Sequence, residues 1–290
     1  MAQREIEVII APRKPHFVGD GFRVHNFIPS TISMEQMSPF IMLDYGSKFY
    51  FPPSDKPRGV NVHPHRGFET VTIAYKGKVA HHDSAGNSGI IGEGDVQWMT
   101  AASGVLHKEY HEETFSKEGG DFQVVQLWVN LPAKDKMSSP KYQELPNDKI
   151  NKVQLSNHAG EVEVIAGNYN HVKGSASTFT PIHLLNVKLH KNGSSAFQFP
   201  TAYNTALLVI EGKIKVNDTE VNTDHLVVFK HNDETFNIQA VEEAKVLIMS
   251  GEPIHEPIAA HGPFVMNTKA EIIQAFEDYN KGKFGYLEEE

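Results

Sequence analysis

Gly59-Val-Asn-Val-His63-Pro-His65-Arg-Gly-Phe-Glu69 and, further along, Gly104-Val-Leu-His107-Lys-Glu109 are the two stretches that decide how this chain folds. Each holds an i, i+2 pair, His63-x-His65 and His107-x-Glu109, in a segment that reads as β-strand flanked by glycine. Alternate side chains of a strand share a face, so each pair can aim two donor groups into one cavity. Pairing of the two strands would gather three imidazoles and a carboxylate. Such a nitrogen and oxygen set suits a divalent transition metal with coordination positions left open.

Around these stretches the chain is a succession of short runs rich in Val, Ile, Phe, Thr and Tyr, punctuated by Gly, Pro, Asn and Asp. Glu69 to Tyr75, Val96 to Met99 and Phe122 to Val129 are examples. This is the pattern of an all-β sandwich or barrel. The polar stretch from Ala133 to Pro146, AKDKMSSPKYQELP, carries two prolines and holds neither periodicity for long, so it is expected to separate two halves. The implied division is a metal-binding barrel over 1–132, a linker over 133–146 and a second barrel over 147–290.

The halves resemble each other. Val71-Thr-Ile-Ala-Tyr-Lys-Gly77-Lys-Val79 and Ala206-Leu-Leu-Val-Ile-Glu-Gly212-Lys-Ile214 share the order apolar strand, Gly-Lys turn, apolar strand. Counting back fourteen and twelve residues from the turn glycine reaches His63 and His65 in the first copy (77−14, 77−12) but Gln198 and Pro200 in the second (212−14, 212−12). The second copy keeps the strands and lacks the ligands, as in a duplicated barrel with one metal site. At the end of the chain, Thr268-Lys-Ala-Glu271 is a capping box, and Ile272, Ile273, Phe276 and Tyr279 recur at helical spacing before Gly282. One amphipathic helix is predicted there, packed on a barrel.

Bulk composition limits the function classes. With 290 residues, 40% hydrophobic and 22% charged, a buried core is expected and disorder is not. The 36 acidic against 27 basic residues give a net charge of −9 with no lysine or arginine block, which disfavours direct nucleic-acid binding. The opening MAQREIEVIIAP lacks a signal-peptide pattern, and no apolar run reaches membrane-spanning length. Without cysteine there are neither disulfides nor thiolate ligands, which argues against a closed structural zinc site and fits a reducing cytoplasm.

Other candidates compete with the proposed ligands. Glu69 stands at even spacing from His65 and is the rival carboxylate. His81, His82 and Asp83 precede the Ser-Ala-Gly-Asn-Ser-Gly loop and are expected at a solvated hairpin end. His111 continues the alternation from His107 and Glu109, but Glu112 and Glu113 suggest that the strand leaves the barrel there. Trp98 and Phe68 either line a flat apolar pocket beside the metal or serve as ordinary core.

The His-x-His segment with its following glutamate, and Gly94-Asp-Val-Gln-Trp-Met-Thr100 through His107, resemble the two cupin motifs, with Thr100 where proline is common. A closer resemblance is to the pirin family. It is carried by His63-Pro-His-Arg-Gly-Phe-Glu-Thr-Val71, Gly94 to Thr100, Gly104-Val-Leu-His-Lys-Glu109, Leu127-Trp-Val-Asn-Leu131 and His261-Gly-Pro-Phe-Val-Met-Asn-Thr268, spread over nearly the whole chain. The resemblance implies a bicupin whose first barrel holds one iron through His63, His65, His107 and Glu109 and whose second barrel is metal-free. Glu69 would then sit beside the ligands, accepting an imidazole N–H. Ligand type alone does not separate iron from manganese, cobalt, nickel, copper or zinc. The implied activity is dioxygenation of flavonols such as quercetin; metal binding lowers the pKa of the flavonol 3-hydroxyl, and Glu109 is the group expected to accept its proton. The alternative is an iron-bearing, redox-responsive regulator that docks on a protein partner. An open apolar pocket reaching the metal would favour the enzyme, and a plugged mouth the regulator.

Overall fold

The computed structural model describes residues 3–289 of the chain. Two compact units emerge, one of residues 14–35, 39–147 and 254–290, the other of residues 1–13, 36–38 and 148–253. Both are built almost wholly from antiparallel strands, each unit pairing a seven-stranded sheet with a four-stranded one. Both sequence motifs fall in the first unit.

In that unit the large sheet runs, in spatial order, Lys141–Leu145, Val96–Thr100, Phe68–Lys76, Gly120–Asn130, Phe40–Phe51, Phe22–Ile28 and His16–Val18. The small sheet runs Gly59–His65, Val105–His111, Val79–Asp83 and Ser88–Ile91. The second unit repeats the small sheet's order with Ser194–Gln198, Thr235–Ala240, Ile214–Val216 and Thr219–Val221. Gln198 thus lies in the strand matching the one that carries His63 and His65. The turn glycines take the same left-handed conformation, φ +78° at Gly77 and +76° at Gly212, which a side chain would strain.

The boundaries drawn from the sequence need correction. Residues 141–145, expected inside a linker, form a strand that pairs with Val96–Thr100 from Lys141↔Thr100 to Leu145↔Val96. The N-terminal strand Ile6–Ile10 pairs with Leu226–Phe229 and so belongs to the second unit. The C-terminal helix, Lys269–Asn280, belongs to the first. Proximity in sequence misleads here because a free edge strand can be filled by any segment that reaches it.

The capping box is formed as predicted: Thr268 accepts from the Glu271 backbone N–H, and Glu271 returns a bond to the Thr268 N–H. Ile272 and Ala275 turn the apolar face of the helix onto Phe264, Met266 and Phe284.

The interiors of the two barrels differ. In the second, Phe197, Phe199, Phe229 and Phe236 are buried and stacked, with Phe229 and Phe236 at 4.2 Å between ring centres, amid Val, Leu and Ile of neighbouring strands. Each such side chain removed from water contributes about 1.5–3 kcal/mol. In the first, one apolar cluster gathers around Phe22, Phe51 and Phe122, and its members Phe22, Val24 and Val124 face a cavity.

Candidate metal centre

A bulge and a glycine bring the two motifs together. His107 lies directly opposite His63, and Val105 opposite His65, after which the register slips so that Glu109 faces Val60. Gly59 makes the close approach possible, since a Cβ there would come within 2.3 Å of the Glu109 carbonyl oxygen and 2.5 Å of Tyr110. On its other edge the His107 strand pairs with Val79–Asp83, placing Asp83 opposite His107 and His81 opposite Glu109.

The donor atoms fall into two overlapping triads. Those of His63, His65 and His107 lie within 4.8 Å of one another, as do those of His81, His107 and Glu109. The first three rings form a triangle with centroid separations of 4.2, 4.7 and 4.8 Å. His63 Nδ1 faces the Asn61 carbonyl at 2.7 Å and His65 Nδ1 the Pro263 carbonyl at 3.4 Å. A carbonyl only accepts, so both Nδ1 atoms donate, and each Nε2 keeps its lone pair for the cluster. His107 Nε2 is buried without a hydrogen-bond partner.

Burial also lowers the pKa of all three imidazoles, and mutual repulsion lowers it further for His65 and His107. They are therefore neutral, the form a cation requires. Three clustered neutral imidazoles, one of them with an orphaned buried nitrogen, fit a divalent transition metal.

Glu109 is held from several sides. Gln97 Nε2 donates to its Oε1 at 3.0 Å and Gln126 Nε2 to its Oε2 at 2.9 Å. The Thr72 hydroxyl, 3.0 Å from Oε1, divides its one proton between that oxygen and Gln126 Oε1 at 2.6 Å. These residues belong to a polar row, one per strand and in register, that crosses the large sheet: Gln97, Thr72, Gln126, Asp44 and Asn26. Asn26 donates to Asp44 at 2.7 Å, and burial raises the Asp44 carboxyl's pKa against that bond.

The site opens into a cavity of about 380 Å³. His63, His65, Glu109, Thr72, Gln126 and Asp44 supply its polar groups, while Val24, Met42, Val60, Val124 and Trp128 are among its apolar walls. Volumes in this range accommodate small organic molecules.

Several sequence expectations change. His81 and Asp83 are buried rather than solvated, and only His82 is partly exposed. Asp83 accepts from the backbone N–H groups of Ala85 and Asn87 and from the Asn87 side chain, pinning the hairpin from inside. His111 remains in its strand and is buried, ringed by Phe51, Phe115 and Phe122, and its Nε2 donates to the Gly21 carbonyl at 2.8 Å. Glu69 is buried too, but it accepts from Thr100 at 2.7 Å, not from a ligand imidazole; burial pushes its carboxyl up to about 7. Trp98 is core, whereas Trp128 lines the cavity, with Phe68 stacked behind it at 4.1 Å.

The sequence reading passed over His81, Thr72, Gln97, Gln126 and Asp44. His81-x-Asp83 repeats the i, i+2 pattern of the chosen pairs. The others are single polar residues inside apolar strands, itself a sign of a polar interior.

Comparison with known proteins agrees with this architecture. The pirin family model matches residues 21–129, and that of the pirin C-terminal cupin domain matches residues 184–285. The chain belongs to the pirin family. It is 46% identical, over 93% of its length and 94% of the relative's, to a Pseudomonas aeruginosa protein named "Putative quercetin 2,3-dioxygenase". A crystal structure titled as quercetin 2,3-dioxygenase from Acinetobacter baumannii superposes with a TM-score of 0.93 at 43% identity, covering 99% of this pirin and all of that chain. An Escherichia coli pirin crystallised with nickel(II) shares the fold at 18% identity and a TM-score of 0.65, covering 85% of this chain and 100% of its own. Among the described residues of this pirin, no helix is long and apolar enough to cross a membrane.

Proposed function

We propose that this pirin is an iron-dependent dioxygenase that opens flavonols such as quercetin, consuming dioxygen and releasing carbon monoxide. The observation that carries this reading is the cavity: an apolar-walled chamber lined by His63, His65 and Glu109, with His107 clustered behind them. The names borne by similar proteins point the same way. An open mouth of this kind favours a catalyst over a docking regulator.

His63, His65 and His107 would hold the metal through Nε2, with Glu109 as the oxygen ligand. When bound, the metal supplies Lewis acidity toward a chelating hydroxyl and a path for electrons to dioxygen. The residues of the chain do the remainder. Trp128 and Met42 offer apolar surface to the flat ring system. A carboxylate has about four lone-pair sites; Gln97 and Gln126 each occupy one on Glu109. That leaves room on Oε2 to accept the proton of the flavonol 3-hydroxyl. The apolar walls keep water from the opened ring.

The test is to purify the protein without added metal, reconstitute it with iron(II) under anaerobic conditions, and then supply oxygen with a panel of flavonols and catechols. Iron-dependent oxygen uptake with release of carbon monoxide supports the assignment. Tight iron without uptake on any member of the panel refutes it.

A further inference from the structure

His63 and His65 each rest their Nδ1 on a backbone carbonyl, a fixed and uncharged acceptor. His107 does not. Its Nδ1 faces His81 Nδ1 at 3.4 Å, and His81 Nε2 in turn faces Asp83 Oδ2 at 3.4 Å. All three side chains are buried, and Asp83 is anchored by four bonds from Ala85 and Asn87.

The proton positions along this chain follow by elimination. Hydrogen bonds from His81 and Asn87 outweigh the effect of burial and hold the Asp83 carboxyl below its usual range, so it is an acceptor and His81 Nε2 must donate. At the other end, the His107 ring turns its unpartnered Nε2 to the cluster, so its hydrogen sits on Nδ1 and His81 Nδ1 is the acceptor between the two rings. Gln97 Nε2 lies 3.3 Å from the same His81 nitrogen, and the Gln97 orientation is fixed because the Tyr142 hydroxyl donates to its Oε1 at 3.2 Å. Tyr142 also stacks on His81, 5.1 Å between centres and 19° between planes, which fixes the ring. The chain therefore runs from His107 Nδ1–H to His81 Nδ1 and from His81 Nε2–H to Asp83 Oδ2, with the unpartnered Nε2 as the basic nitrogen of His107.

We propose that Asp83 and His81 are positioning residues that set the tautomer and donor strength of His107, making it the one imidazole of the centre whose pull on the metal is tuned by a buried carboxylate. A carboxylate acting through one imidazole on another raises the basicity of the terminal nitrogen, and such outer partners govern metal affinity about 10–100-fold. A more basic ligand favours the ferric over the ferrous ion, so the chain also sets the redox poise. Gln97 Nε2 donates to Glu109 and lies against His81 Nδ1, so the relay and the carboxylate share a neighbour.

The inference rests on the metal-centre part of the function proposed above, and its test separates the two. Iron(II) affinity and the iron midpoint potential are measured for the wild type, His81→Phe and His81→Gln, with circular dichroism to establish folding. Phenylalanine breaks the chain, and iron(II) is expected to bind about 10–100-fold more weakly with a higher midpoint potential. Glutamine can accept from His107 and donate to Asp83, and it is expected to restore most of both. If His81→Phe does not fold, His81→Asn, too short to span both partners, takes its place with the same expected losses. A folded breaking variant with wild-type affinity and potential overturns the relay while leaving the centre intact. Failure of His81→Gln to restore either quantity overturns it as well. A wild type that binds neither iron(II) nor nickel(II) overturns both the relay and the centre.

Discussion

Arg66, the residue after His65, donates from Nη1 to Asp278 Oδ2 across 2.9 Å, with both side chains nearly excluded from solvent. Its Nε donates to the Ser103 carbonyl at 2.7 Å, and its guanidinium lies over Phe284 at 4.6 Å. The end of the His-x-His strand is thereby bound to the C-terminal helix. Lys283 and Arg66 together hold the Asp278 carboxyl well below the usual range. Asp278→Ala leaves a buried guanidinium short of its counter-ion, a strongly destabilising change. A lowered thermal midpoint, together with faster release of metal, is the expected result by calorimetry and chelator competition.

The ligands and the proton acceptor are expected to separate on mutation. His63→Ala and His107→Ala lose metal and turnover together. Glu109→Ala retains metal on three imidazoles and loses turnover by roughly 10²–10⁴-fold, the usual worth of a general base. Metal content and oxygen uptake measured on the same preparations check this, and equal activity in all three variants would refute it.

The polar row reaches the cavity wall again at Asp44, one strand beyond Gln126. A flavonol chelated at the imidazoles would lay a remote hydroxyl toward this carboxyl. Asp44→Leu should then lower kcat/KM about 10-fold or more for the flavonol bearing that hydroxyl. For the analogue lacking it, the value should be unchanged. Steady-state kinetics on a series with hydroxyls removed singly will show whether the discrimination disappears.

Glu69 gives a pH signature. Its folded pKa, about 7, is raised above the ordinary 4.5, so its favourable contribution is complete below pH 4.5 and is lost as pH rises through 7. Above that, the unfolded chain is ionised and the folded one must bury a charge, a penalty on the order of 3 kcal/mol. Glu69→Gln removes the titration and keeps an acceptor for Thr100. Urea unfolding should find it as stable as the wild type near pH 4.5 and more stable at pH 8. A constant difference across that range would contradict the assignment.

Much of the fold was legible because the controlling signals are local. The i, i+2 pairs, the Gly77 and Gly212 turns and the Thr268 capping box each depend on a few consecutive residues. What was not legible depends on pairing between distant segments. Residues 141–145 look polar and proline-bounded, yet they complete a sheet edge; Ile6–Ile10 crosses to the other unit for the same reason. At the site, His81 was misplaced because its neighbours His82 and Ser84 suggest a wet loop. Its partners Gln97, His107 and Tyr142 are remote in sequence, and only strand pairing brings them to it.

The central claim is that His63, His65 and His107 jointly hold one catalytic metal ion. Metal analysis with X-ray absorption at the iron edge, on wild type and His107→Ala reconstituted with iron(II), addresses it most directly. The account predicts stoichiometric iron with three imidazole scatterers in the wild type, and loss of both the metal and that shell in the variant. Iron that fails to bind the wild type, or binds without imidazole and equally well in the variant, would contradict it.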